Sequence, residues 1–354
     1  ICAGAVYEHV KEALGDVSIF KLGVTWPLPA DALARFAESV DKVYVVEEAS
    51  TYLSDAVRSC GIALDEFVNP LPADGEVHPE DILHAFGKET PAHLDTPGDV
   101  PNRPPALCAG CPHRIVFREL ARNKAIVTGD IGCYTLGALP PLSAMDTTLD
   151  MGASVSMAHG FELAMAGSDH RPIVGVIGDS TFAHSGLSSL INTVYNKGAG
   201  TICILDNRTT AMTGHQPNPG VCTSVLGEGC NHLDIESVVR GIGVTDVAKV
   251  KPFNMRGTLK TIEEMKARSG VRVIIAEEPC MLFARRTLKQ NRPQVAEVAT
   301  QGEEALKCLA ELACPAFRRG GTAEAPVVSV DESQCSGCMV CLQVTPAIRA
   351  RKRS

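Results

Sequence analysis

The sequence predicts an α/β protein: two parallel-sheet domains followed by a small tail that carries cysteines. Three observations carry that expectation. Helix-period and strand-period segments alternate through the first part of the chain, five Val/Ile-rich runs recur across its middle, and the end holds the run CSGCMVC. Alternation at this pace is the signature of βα units on a parallel sheet.

In order, residues 6–14 read as a helix, 17–22 as a strand, 29–40 as a helix and 42–48 as a strand, giving a small α/β domain over 1–68. From 69 to 105 prolines and polar residues accumulate around one short helix at 79–87, which predicts a linker wrapping a surface. A larger domain over 106–300 follows, with strands at 125–129, 172–178, 200–206, 243–250 and 270–278. Near-continuous Val/Ile runs suit strands buried on both faces. A helix at 302–312 and a Gly/Pro/Ala-rich hinge occupy 301–324, and 325–354 forms the cysteine-bearing segment.

With 45% hydrophobic and 21% charged residues, a chain of 354 residues can bury a substantial core. The formal charge of -8 leaves no general basic footprint, so nucleic acid is not expected as a partner. The basic run RARKRS at 349–354 is expected to be a solvated tail. No apolar run reaches the ~18 residues of a membrane span, and no secretory signal pattern opens the chain. A cytoplasmic protein with no membrane attachment is the expectation. The chain begins at Ile1 and stops shortly after a cysteine group, so it is expected to be incomplete at both ends.

The chemistry starts where two strand-like runs break. VIGDS ends one run at Asp179 and ILDN ends another at Asn207, 28 positions later. In an open α/β sheet, ligands gather outside the carboxyl ends of strands. Asp179, the Asn207 side-chain oxygen and a nearby backbone carbonyl could hold Mg²⁺, a hard cation that takes oxygen ligands, while the helix starting near Thr181 aims free N–H groups at a diphosphate. The plain alternative is a turn followed by a helix cap. Fourteen cysteines, several in CxxC spacing, favour metal or cluster binding over a disulfide scaffold.

The Gly178-Asp179-Ser180 and Asn207 pair resembles the GDG...N signature of thiamine diphosphate (ThDP) enzymes, with Ser180 where glycine is usual. The surrounding motifs LCAGCPHR, GDIGCYTLG, TLDMGASVSMAHG, DNRTTAMTGHQPNPG and EEPC together resemble the alpha subunits of indolepyruvate ferredoxin oxidoreductases, within the 2-oxoacid:ferredoxin oxidoreductase superfamily. KLGVTWPLP and DKVYVVEE resemble that family's transketolase C-terminal-like domain. The resemblance implies a transketolase C-terminal-like domain, then a ThDP-binding fold, then a truncated ferredoxin-like tail, with an N-terminal pyrimidine-binding domain lacking. A glutamate on that domain activates the cofactor in ThDP enzymes, so the chain alone is expected to be inactive.

Carried over residue by residue, the resemblance makes Asp179, Asn207 and the Thr209 carbonyl ligands of Mg²⁺. It puts Gly178, Ser180 and Thr181 beside the diphosphate. Asp150, Gly152 and Ser154 read either as a close approach to that diphosphate or as tight helix packing. Met212, Thr213 and Gly214 resemble the loop that closes after the metal ligands. His113 and His184 are candidates for active-site histidines or for hydrogen-bonded loop residues. Cys108 and Cys111 alone read as a zinc site, a cluster site or a tight loop. With Cys133 and Cys280 they match the family's four ligands of a proximal 4Fe-4S cluster. Cys335, Cys338 and Cys341 begin a ferredoxin motif, but Thr345 stands before Pro346 where a fourth cysteine is usual, so this cluster is expected to be incomplete. Cys2, Cys60, Cys203, Cys308 and Cys314 read as small hydrophobes.

The implied activity is oxidative decarboxylation of arylpyruvates to aryl-acetyl-CoA. It would use ThDP, Mg²⁺, 4Fe-4S clusters and coenzyme A, with a beta subunit and a ferredoxin as partners. A non-oxidative ThDP decarboxylase or synthase would share the Asp179/Asn207 site without clusters. A non-catalytic electron-transfer module would bind clusters without turnover.

Overall fold

A computed structural model describes residues 1–92, 98, 100–224, 227, 229, 231–290 and 292–353. Parts of the expected linker (93–97 and 99) and Ser354 of the basic run lie outside the described residues. The chain divides into two compact units, Ile1–Asn102 and Arg103–Ser354.

In the first unit the helices are α1 (Val6–Leu14), α2 (Ala30–Glu38), α3 (Tyr52–Ser59) and α4 (Pro79–Ala85). Its strands β1 (Cys2–Ala3) and β2 (Lys21–Leu22) pair in parallel. The expected strand at 42–48 forms no continuous ladder. Single hydrogen bonds hold it instead: Val46 N–H donates to Ile1 O at 3.0 Å and Asp65 N–H to Val43 O at 2.8 Å. Val43, Val45 and Val46 are buried nonetheless, so the apolar pattern was read correctly while regular pairing was not met.

The second unit is built on a six-stranded, all-parallel sheet. After α5 (His113–Arg122) come β3 (Ile126–Gly129), β4 (Thr147–Thr148), α6 (Ala153–Ala164) and β5 (Ile173–Gly178). A continuous helical run follows, formed by α7 (Asp179–Thr181), a π turn (Phe182–Gly186) and α8 (Leu187–Tyr195). Then come β6 (Thr201–Asp206), α9 (Ile235–Gly241), β7 (Asp246–Val250), α10 (Met255–Lys266) and β8 (Arg272–Glu277). The strand order is β4-β3-β5-β6-β8-β7.

Alternation along the strands builds two cores. Cys203, Leu205, Ile274 and Ala276 face one side with Phe117 and Leu120 of α5 and Ile262 and Met265 of α10. Ile202, Ile204, Val273 and Ile275 face the other with Val155 of α6, Leu190 of α8 and Val239 of α9. Side chains that alternate with period two, apolar on both faces, demand a helical layer on each side. At Gly175 a Cβ would stand 3.0 Å from Ser154 O, so glycine lets α6 lie close on β5.

The remaining elements are α11 (Met281–Arg286), β9 (Gln294–Val298), α12 (Glu303–Ala310), β10 (Phe317–Gly321), β11 (Pro326–Val330), α13 (Cys341–Val344) and β12 (Ile348–Lys352). Two points differ from the sequence expectation. Residues 317–321 of the expected hinge form a hairpin with β11. The basic run is mostly an edge strand paired antiparallel to β9, with Arg349 and Arg351 ion-paired to Glu297 and Arg351 also to Glu332. Arg349 and Arg351 are thereby neutralised, and Ile348 at the head of the strand packs into the apolar cluster shared with β9, α12 and α13.

Candidate active site at the carboxyl edge of the sheet

Four strands end in the residues that matter. Asp130 follows β3, Asp179 follows β5, Asn207 follows β6, and the loop to Cys280 follows β8. A cleft of about 90 Å³ opens beside Asp179 and Asn207, lined among others by His113, Cys133, Gly178, Asp179, Asn207 and Thr209.

Asp179 is buried, and its Oδ2 accepts from Asn218 Nδ2 at 3.1 Å. Loss of water, with the Asp206 carboxylate adding repulsion, pushes its carboxyl from the ordinary 3.8 to about 7. Asn207 and Thr209 are buried beside it, the Asn207 Oδ1 accepting from Thr209 N–H at 3.2 Å. Arg208 between them takes a left-handed φ of 64°, a conformation costly for a non-glycine residue. Its guanidinium is fixed by Asp206 and Glu277, which compensates for that strain. Ser180 Oγ accepts from Thr210 Oγ1 at 2.9 Å, so the serine in the usual glycine position ties the β5 turn to the loop after β6.

His113 is buried at the start of α5, with its Nε2 3.4 Å from Asn207 Nδ2. Burial lowers its pKa to about 4, so the ring is neutral at ordinary pH. His184 is exposed on the π turn and does not line the cleft. The cleft places the two candidate histidines differently: only His113 faces it.

Gly152 and Ser154 are buried, while Asp150 is exposed. The partner they find is one the sequence reading passed over. Asp130, fully buried, accepts from Gly152 N–H at 2.9 Å and Ser154 Oγ at 3.0 Å through one oxygen, and from the Tyr134 hydroxyl through the other. Burial raises its carboxyl, and these hydrogen bonds pull it back. The signal was present: Asp130 follows a Val/Ile run as Asp179 does, within the quoted GDIGC. Met212 and Thr213 line the cleft, and Thr213 Oγ1 donates to Gln216 Oε1 at 2.7 Å, closing the loop on itself. Gly214, at φ 127°, turns that loop without lining the cleft.

The cysteines 108, 111, 133 and 280 share one neighbourhood. Burial pushes the Cys111 thiol up to about 12, with further raising by Cys280 and Cys108. Burial likewise takes Cys133 to about 11, with Cys280 and Cys108 adding to it. Among the described residues no group of three or more His, Cys, Asp or Glu stands close enough to hold a single ion. The Cys280 N–H donates to Asn207 O at 2.9 Å, so the cysteine loop and the oxygen-donor loop are joined directly.

The model of the thiamine pyrophosphate enzyme C-terminal TPP-binding domain matches residues 130–276, which include Asp130, Asp179, Asn207 and Thr209. Fold and match together define a thiamine diphosphate-binding α/β domain. The chain is 37% identical to indolepyruvate oxidoreductase subunit IorA of Methanothermobacter thermautotrophicus, over 98% of this chain and 58% of that protein. It is 38% identical to the Thermococcus kodakarensis subunit of the same name, over 98% of this chain and 59% of that protein. It belongs to this IorA family and spans somewhat over half the length of the relatives it matches. Among solved structures it resembles 2-oxoglutarate:ferredoxin oxidoreductase from Magnetococcus marinus, with TM-score 0.43 and 18% identity over 52% of this chain and 66% of that one. It also resembles benzoylformate decarboxylase from Polynucleobacter necessarius, with TM-score 0.35 and 17% identity over 64% of this chain and 39% of that one. No described helix is long and apolar enough to cross a membrane.

Proposed function

We propose that this chain supplies the diphosphate-binding part of a cytoplasmic, ThDP-dependent 2-oxoacid:ferredoxin oxidoreductase. Arylpyruvates of the indole-3-pyruvate type are its substrates, coenzyme A its acyl acceptor, and a beta subunit and a ferredoxin its partners. The observation that carries this reading is the Cys280 N–H to Asn207 O bond, which joins an oxygen-donor site and a cysteine group on one sheet edge.

The residues present fit the cofactor. At Gly178 a Cβ would stand 2.8 Å from Tyr134 Cε1, and at Gly152 2.2 Å from Ser185 Oγ, so both backbones line positions that only glycine fills. Asp179, Asn207 and Thr209 form a buried, all-oxygen donor set of the kind Mg²⁺ prefers. ThDP, when bound, supplies the electron sink for decarboxylation of a 2-oxoacid. The chain's own part is to position and to exclude water. Gly178 to Thr181 would hold the diphosphate, Asp130 fixes Gly152 and Ser154 along the same edge, and Met212 and Thr213 cover the cleft. His113, uncharged in its buried setting, would give a hydrogen bond to the substrate's carbonyl or carboxylate. Cys108, Cys111, Cys133 and Cys280 would hold the proximal 4Fe-4S cluster.

Two measurements test this. Calorimetric titration of ThDP with Mg²⁺ into the chain should give binding that Asp179→Ala abolishes. Co-expression with the beta subunit should give ferredoxin reduction that depends on indole-3-pyruvate and coenzyme A. Binding indifferent to Asp179, or 2-oxoacid consumption with no ferredoxin reduction, would refute the reading.

A further inference from the structure

A second opening in the larger unit, of about 670 Å³, shares no lining residue with the cleft. Its wall holds sulfur: Cys108 is exposed there and Cys335 half-buried. The two loops that carry these cysteines touch, since a Cβ at Gly110 would fall 2.0 Å from Ser336 Oγ. Arg114 lies close to Cys108 and Cys338, its Nε donating to Cys108 O at 3.0 Å. The rim of the opening is basic. Arg285 and Arg353 are exposed on it and Arg292 is half-buried, and no Asp or Glu stands among the described residues that line it.

These cations reach the rim from separate segments. Arg285 sits in the last turn of α11, with Arg286 exposed beside it and Lys289 exposed in the loop that follows. Arg292 lays its guanidinium over the Phe253 ring, 5.0 Å from the centroid, and reaches Glu278 at 3.8 Å. Arg353 donates from Nη1 to Glu332 O at 2.9 Å and from Nη2 to Cys335 O at 2.6 Å, which holds its charge against the cysteine loop. Residues 280–293 carry four cations and no Asp or Glu, in a chain of net charge -8. Among the described residues of that stretch, Arg292 alone is ion-paired. The negative end of α11 accounts for Arg285 and Arg286. It does not account for Arg292 and Arg353, which converge on the same opening from elsewhere. Like charges gathered without a counter-charge repel, so an anionic surface that meets them is attracted and oriented.

We propose that this basic opening is the docking face for an acidic, one-electron carrier protein of the ferredoxin type. The proposal rests on the reading that this chain delivers electrons through its cysteine groups. An acceptor has to come close to the sulfur-bearing loops, and here Cys108 and Cys335 lie beside exposed arginines. Arginine suits such a face because its planar fork pairs with a carboxylate through two hydrogen bonds, and Met281, Leu282 and Pro315 supply apolar surface within the charged ring. Charge complementarity speeds encounter and fixes orientation more than it adds affinity, which fits a partner that must leave after each electron. Oxidation of one 2-oxoacid with coenzyme A to acyl-CoA and CO₂ releases two electrons and one proton. Two carriers then dock in turn and each leaves one electron richer, while the proton passes to solvent. Nucleic acid fits poorly, because the net charge of -8 repels a phosphate backbone.

The test uses the chain co-expressed with its beta subunit and, as probe, an oxidised two-cluster bacterial ferredoxin of strongly negative charge. Arg285→Glu combined with Arg286→Glu should weaken ferredoxin binding at low salt, read by biolayer interferometry, on the order of tenfold, and raise the KM for ferredoxin by the same factor. The gap should close as salt shortens the screening length from about 10 Å at 0.1 M to about 3 Å at 1 M. Lys197→Glu combined with Lys260→Glu makes an equal change of charge at exposed positions that do not line the opening, and should bind as the parent does. Reduction of benzyl viologen, which needs no docking face, should be unchanged in both, so a lost docking face is told apart from a lost activity. Should the Arg285/Arg286 variant misfold, carbodiimide coupling of the unaltered chain to ferredoxin decides: Lys289 should be joined to ferredoxin carboxylates, and Lys197 and Lys260 should not. Parent-like binding and KM in the Arg285/Arg286 variant, with ferredoxin still reduced, would overturn the docking face and leave the proposed function standing. An equal loss in the Lys197/Lys260 control, loss of the beta subunit from the Arg285/Arg286 variant, or displacement of ferredoxin by an equal concentration of a short single-stranded RNA would also overturn it. Viologen reduction by a parent that neither binds nor reduces ferredoxin would refute the docking face and the ferredoxin partner together.

Discussion

Replacing Asp179 by asparagine should stabilise the metal-free chain above neutral pH and at the same time abolish its response to Mg²⁺ and ThDP. Burial and the Asp206 carboxylate hold the Asp179 carboxyl at about 7, against 3.8 ordinarily. The native state therefore binds this proton more tightly than the unfolded chain does. Its contribution is fully present below about pH 4 and is lost as pH rises through about 7. A displacement of that size corresponds to about 4 kcal/mol by pH 8. Asparagine never ionises and can still accept from Asn218, so it escapes the loss. Urea unfolding at pH 5 and pH 8 in EDTA reads the effect, because the difference between parent and variant isolates this one group. The variant should gain on the parent by about 2–3 kcal/mol between the two pH values, the rest of the loss having already occurred below pH 5. Adding Mg²⁺ with ThDP should then stabilise the parent alone, by mass action. A stability gap that is the same at both pH values, or an undiminished cofactor effect in the variant, would refute the reasoning.

Two further outcomes follow from the site's geometry. Gly152→Ala should cost about 1–3 kcal/mol in urea unfolding, since φ is 99° and the new Cβ would lie 2.2 Å from Ser185 Oγ. Adding Ser185→Ala should recover only the steric part, and a neutral single variant would contradict the packing described. His113 should titrate by NMR near pH 4, because burial disfavours its charged form. Its contribution to stability is present above the ordinary 6.5 and lost as pH falls through about 4, so His113→Gln should flatten that slope; a midpoint near 6.5 would mean that water reaches the ring.

How far the sequence was legible differs from residue to residue. The β5 and β6 runs and their terminal Asp179 and Asn207 were readable, because a buried parallel strand is a continuous apolar run and its ligands follow at its end. The strand expected at 42–48 showed the right apolar pattern, but laddering depends on neighbours that the run itself does not specify. Asp150, Ser154 and His184 looked alike as motif residues. On α6 the helix phase turns Ser154 inward, while Asp150 precedes that helix and His184 sits on the π turn, and both are exposed.

By itself the sequence determined the parallel α/β class, the oxygen donors after β5 and β6, the CxxC spacings and the gap at Thr345, since each is a local pattern of period, composition or interval. Only the tertiary structure decided that Asp130 anchors Gly152 and Ser154, that Arg114 lies between two cysteine groups, and that Cys314 shares a cavity with Cys335, Cys338 and Cys341. These are contacts between segments distant along the chain. No local spacing encodes them, and they come into being when burial of the apolar faces folds the loops onto one another.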